Sequence, residues 1–284
     1  MVSSRSYQKR FLPYLAAAAA VSLCGGFTAA VPSNVIADWA LSKESVTWLT
    51  LSYSLGAAAM APVMGKLGDA LGRRAALLLG LGLYTAGQGI AAFCPEGSFL
   101  LLLAIRFFAG VGAAAIAPMV MSFIMTEFPK DKIGSGFTSY MLISCGVVIF
   151  GPALGGIILS RSSWRWVLAL CALICAASFL TALFFAEKSA RRAHALADFD
   201  FAGAALTLVF FSLLLAFPTF GQNSGWLSPA ALFCGGAGIA ALLGLIFTER
   251  RAKSPILSVH SWRGGNSFSL WRCCSFPKVC CNPA

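Results

Sequence analysis

Long apolar stretches alternate with short charged turns through most of this chain, and that alternation restricts its fold more than any other feature. Eight stretches run at approximately 11–32, 46–64, 75–94, 98–126, 134–160, 164–186, 201–221 and 226–248. A helix rises about 1.5 Å per residue, so about 20 apolar residues match the roughly 30 Å hydrocarbon layer of a bilayer. The fourth and fifth stretches are long enough to tilt or protrude. Hydrocarbon offers no water to backbone N–H and C=O groups, so each stretch has to be helical. Composition agrees: 11% of the 284 residues are charged, and mean hydropathy is +0.81. Soluble domains carry about a quarter charged residues. The sequence predicts an all-α integral membrane protein with the lipid bilayer as its surroundings.

Charge placement orients it. The net charge is +11, but the basic residues lie in short pieces between apolar blocks. A nucleic-acid binder gathers them on one solvated face, so no nucleic-acid partner is expected. Cytoplasmic loops are enriched in Lys and Arg. Placing the amino terminus inside puts fourteen Lys and Arg on that side, against Lys43, Arg161 and Arg165 on the other. Both ends of the eight-helix array are then cytoplasmic. Arg5, Lys9 and Arg10 ahead of "FLPYLAAAAAVSLCGGFTAA" also resemble a signal peptide. That apolar run exceeds the 7–15 residues of a signal core, and seven more stretches follow, so an uncleaved first helix is expected.

Three segments break the apolar monotony. "GKLGDALGRR" (65–74) joins the second and third stretches, with Gly65, Gly68 and Gly72 permitting a tight turn. Its Asp69 can bond backbone donors at a neighbouring helix's amino end, or be solvated in a loop of mixed charge. Arg106 lies eight residues into its stretch, roughly 12 Å deep. A cation there costs at least about 2.5–3.5 kcal/mol unless it faces the bundle interior or water. "GVVIFGPALGGIIL" (146–159) suits a hinge or a close-packed interface. Gly110 and Gly112 likewise mark a surface where helices can approach closely. Pro118, Pro152 and Pro218 are expected to bend their helices.

In this order these segments resemble the major facilitator superfamily. The first matches its cytoplasmic-loop motif through Gly65, Asp69, Gly72, Arg73 and Arg74, with Ala70 replacing the usual basic residue. The second is similar to the fourth-helix arginine motif through Arg106, Gly110 and Gly112, with Ala109 where glutamine is common. The third resembles the fifth-helix antiporter motif through Gly151, Pro152, Gly155 and Gly156, its preceding glycine one place early at Gly146. "WRWVLAL" from Trp164 and "DFAGAAL" from Asp200 with Gly203 look like the fourteen-spanner drug:proton antiporters.

The resemblance implies a six-helix transporter half (1–186), a cytoplasmic loop (187–200), two additional membrane helices (201–248) and a cytoplasmic tail (249–284). It implies proton-coupled efflux of lipophilic small molecules across the inner (plasma) membrane. Asp69, Arg73 and Arg74 would form a conformational latch, Arg106 would organise charge, and Gly151–Gly156 would bend. The family's usual first-span acid is missing: "CGGFTAAVPSNVIAD" has none before Asp38, and all ten acids fall in loops or at span ends. Trp48, Phe107, Phe108 and Tyr140 are candidates to face a cavity.

From about His260 the chain changes character, with Cys273, Cys274, Cys280 and Cys281 crowded into its last twelve residues. A frameshift or premature end is the expectation; a lipidated tail is the alternative, and the spacing matches no usual zinc pattern. The rival to an autonomous pump is a truncated non-transporting fragment, or a half-transporter needing a partner chain. The two histidines, His194 and His260, lie outside the stretches, and HExxH, GxSxG and P-loop patterns are absent from the sequence. An enzyme, a cofactor or a bound metal is therefore not expected.

Overall fold

The computed structural model describes residues 4–41, 43–186 and 201–251, all built from helices. The first span is α1 (Ser4–Phe27), a 3₁₀ turn (Thr28–Ala30) and α2 (Val31–Trp39). Next come α3 (Lys43–Leu71) and α4 (Arg73–Ala92). The fourth span is divided into α5 (Phe99–Ala114) and α6 (Ile116–Glu127). The remaining helices are α7 (Ile133–Arg161), α8 (Trp164–Phe185), α9 (Phe201–Ser224) and α10 (Pro229–Arg251).

Among the described residues seven spans are long and apolar enough to cross a membrane, and the expected eighth is a partial exception. Helix α9 runs 24 residues, but its apolar part is the shorter Ala205–Pro218. Proline acts less uniformly than expected. Helices α7 and α9 pass through Pro152 and Pro218 without interruption. Of the three prolines only Pro118 accompanies a break, which falls at Ala115, three residues before it. Pro118 has no N–H to give the Ala114 carbonyl, and the Ala115 N–H instead bonds the Gly112 carbonyl at 3.3 Å.

Missing side chains set how the helices pack. A Cβ on Gly112 would lie 2.5 Å from the Tyr84 nitrogen, and one on Gly87 would lie 2.8 Å from Ala109 Cβ. Gly110 of α5 and Gly56 of α3 each press on the other helix's backbone. Helix α5 is thus wedged between α3 and α4, its Leu102, Ile105 and Ala109 buried. Such contact replaces the hydrophobic drive that helices lack in lipid. Between α1 and α7 the approach is mutual: a Cβ on Gly26 would sit 2.6 Å from Gly151 Cα, and one on Gly151 would sit 2.7 Å from Gly26 Cα. Helix α8 fills the space behind α1 and α4, and α9 lies along α3 with α10 against it.

The cysteines in the spans behave as small apolar residues. Cys24, Cys171 and Cys175 meet where α1 crosses α8, with Cys24 Sγ 3.6 Å from Cys175 Sγ. Cys145 alone among the described cysteines is exposed.

Candidate functional site: a charged clasp and a buried arginine

The turn 65–74 closes onto two other helices. Gly72 has φ 90° and ψ 146°, a conformation disfavoured for any residue with a Cβ, and it starts α4. Its N–H bonds the Gly68 carbonyl at 3.0 Å, and its carbonyl accepts from Ala76 at 3.1 Å. Gly68 is buried where a Cβ would strike Met119 of α6. Gly65 faces Pro118 at 3.8 Å from an ideal Cβ. Asp69 occupies the exposed side of the last turn of α3.

The two arginines that follow point to different helix ends. Arg73 Nη2 bonds Glu127 Oε1 at 2.6 Å, Nη1 bonds the Thr126 hydroxyl, and the guanidinium stands 5.6 Å from the Phe123 ring. Arg74 Nη2 donates to the Leu183 carbonyl at 2.6 Å, in the last turn of α8. Terminal carbonyls have no partner within their helix and carry the negative end of its dipole, so a cation suits them. Two successive residues of one turn therefore tie the start of α4 to the ends of α6 and α8. Glu127 and Thr126 belong to no sequence motif, although Glu127 is the acid that directly follows the fourth apolar stretch.

At the opposite end of the bundle Trp164 is 1% exposed and donates Nε1–H to Asp38 Oδ2 at 2.8 Å. Trp39 stacks edge-on against its ring at 5.8 Å. Arg165 reaches Glu96 at 3.5 Å across an exposed gap.

Arg106 is 4% exposed and lies inside the bundle rather than snorkelling to an interface. Tyr53 and Tyr84 meet edge-on at 6.5 Å in the buried cluster that holds its chain neighbour Ile105. Gln88 and Tyr84, one turn apart on α4, are completely buried. Gln88 was also overlooked, although a lone amide in "LYTAGQGIAA" was a visible signal.

The remaining candidates are distributed as follows. Gly151 and Gly155 face α1, whereas Pro152 and Gly156 are exposed, and a Cβ on Gly156 would meet nothing within 4 Å. The motif is thus half close-packed interface and half outward face. Gly203 is buried, its carbonyl accepting from Thr207 at 2.7 Å. Asp200, the loop 187–200 and the cysteine-rich tail lie outside the described residues. The four aromatic candidates do not converge: Trp48 packs on Phe220 at 5.4 Å, Phe107 packs on Phe108 at 5.7 Å, Phe108 is exposed, and Tyr140 packs on the core around Phe11.

Residues 13–263 match the family model of the Major Facilitator Superfamily, which is well over half of the chain. This chain belongs to the major facilitator superfamily. Among its relatives is the MFS-type transporter EfpA of Mycobacterium tuberculosis, 26% identical over 232 residues, covering 81% of this chain and 42% of that protein. Multidrug resistance protein 3 of Bacillus subtilis is 27% identical over 227 residues, covering 79% and 43% respectively. Multidrug resistance protein Stp of Mycobacterium tuberculosis is 28% identical over 232 residues, covering 80% and 42%. The chain spans less than half the length of these curated relatives. As a superfamily member it is a multi-pass membrane protein, and its relatives are transporters rather than enzymes.

Proposed function

We propose that this chain is one half of a secondary transporter, with two further helices, that expels lipophilic small molecules in exchange for protons. The observation that carries this reading is the clasp. The turn 65–74 grips the ends of α6 and α8 through Arg73 and Arg74 while Asp69 stays on the exposed side. A six-helix unit held this way can rock as one body around a midplane site. The names of the Bacillus and Mycobacterium multidrug resistance relatives support the choice of cargo. Helix α9 docked along α3 agrees with the fourteen-spanner arrangement, in which two helices follow the first six. In this reading the clasp, Ser4 and Arg251 all lie on the cytoplasmic side of the plasma membrane.

The test is dye accumulation in a drug-sensitive host. An autonomous pump lowers accumulation; Asp69→Asn abolishes the effect, and so does a protonophore. If wild type and Asp69→Asn both leave accumulation unchanged, the autonomous pump is wrong.

A further inference from the structure

Arg106, Gln88 and Tyr84 hold polar atoms for which the described residues supply no hydrogen-bond partner. These are Arg106 Nε and Nη2, both amide atoms of Gln88, and the Tyr84 hydroxyl. The three residues are 4%, 0% and 0% exposed, so bulk solvent does not reach these atoms. Buried polar groups are overwhelmingly paired, and each exception calls for a specific explanation. Here the exceptions are neighbours. The contact of Gly87 with Ala109 puts Gln88 beside residue 108 on the antiparallel α5, within about 3 Å in height of Arg106. Tyr84 lies one turn further along the same face of α4, in the same buried cluster as Ile105 and Ala109 of α5.

We propose that this cluster receives the carboxylate of a lipophilic acid, which makes such acids a substrate class of the transporter; the inference rests on the efflux reading above. The unpaired Nε and Nη2 form one edge of the guanidinium, the edge that grips a carboxylate through two parallel N–H···O bonds. The Gln88 amide nitrogen and the Tyr84 hydroxyl add two neutral donors. The charge balance points the same way. No carboxylate lies within the interior of the described spans, since Asp38, Glu44, Asp69, Glu96, Glu127, Asp131 and Glu249 all lie at span ends or in turns. A permanent guanidinium charge in a low-dielectric setting attracts an anion more strongly than it would in water. The surroundings select for an apolar body on that anion: Leu49, Leu102, Ile105 and Ala109 belong to the same buried cluster as Tyr84. A lipophilic cation has no counter-charge to meet here.

The experiment is calorimetric binding to the full chain in maltoside micelles, using decanoate, methyl decanoate, acetate and decyltrimethylammonium as probes. Decanoate is expected to bind at least tenfold tighter than the other three. Arg106→Gln is expected to lose at least tenfold for decanoate and nothing for the ester. Tyr84→Phe and Gln88→Leu, which keep the charge, are expected to lose a few-fold each; they decide the matter if Arg106→Gln does not fold. Equal binding of acid and ester, equal binding of acetate, a preference for the cation, or decanoate affinity indifferent to all three substitutions would each overturn the proposal. This readout needs neither transport nor a proton gradient, so a null dye assay and a null titration are separate failures.

Discussion

The mutual contact of Gly26 and Gly151 predicts that two neighbouring glycines of one motif will respond oppositely to alanine. An alanine at 151 would place its Cβ 2.7 Å from Gly26 Cα, about 0.8 Å short of the 3.5 Å at which carbon pairs attract. The atom it meets is backbone, so no rotamer change relieves the clash, and α1 and α7 have to separate. Overpacking of this kind costs about 1–3 kcal/mol. Gly156→Ala meets nothing within 4 Å and gains helix propensity, so it should be neutral or stabilising by up to about 1 kcal/mol. Gly26→Ala repeats the clash from the other side. Once one alanine has spread the helices, the second has less to displace, so the double variant should cost at least about 0.5 kcal/mol less than the two singles together. Unfolding by sodium dodecyl sulfate in mixed micelles, followed by helicity, measures all four. Equal costs for Gly151→Ala and Gly156→Ala, or strict additivity of the pair, would refute the geometry.

Other expectations follow from the clasp and its surroundings. Glu127→Gln should destabilise by about 1 kcal/mol and Arg73→Gln by more, since the latter also loses the bond to Thr126; a thermal unfolding series reads both. Trp164→Phe keeps most of the ring but drops the bond to Asp38, at about 0.5–1.5 kcal/mol in the same assay. A lipid-soluble maleimide should label Cys145 in the folded protein, leaving Cys24, Cys171 and Cys175 for the unfolded one, as mass spectrometry of peptides would reveal. Burial pushes the Cys94 thiol up, against the opposing charge of Arg165, so less thiolate forms at any given pH. Its alkylation at pH 8.5 should lag behind that of a free cysteine.

Much of the architecture was legible because hydrophobic length is a one-dimensional signal. Each apolar stretch is helical, the first and fourth in two pieces, and the small residues at Gly110, Gly112, Gly151 and Gly155 are places where helices touch. Partner identity was not legible. Nothing in the spacing of "GKLGDALGRR" says that Arg73 meets Glu127, 54 positions later, while Arg74 turns to a carbonyl of α8. That choice comes from the tertiary crossing of α4 with α6 and α8. Which of the three prolines would part its helix was not legible either. Helices α7 and α9 continue through Pro152 and Pro218, whereas the fourth span breaks just before Pro118. The depth of Arg106 could be counted from the sequence, but the bare polar atoms of Gln88 and Tyr84 appear only once α4 and α5 are laid side by side.

The gap at Ala115 leaves the fourth span as two rods held in different ways. The first, α5, carries the guanidinium and is pinned by glycine contacts to α3 and α4. The other runs to Glu127, where the Arg73 grip takes hold. With one backbone bond absent at the joint, the line of the fourth span there rests on packing rather than on an unbroken ladder.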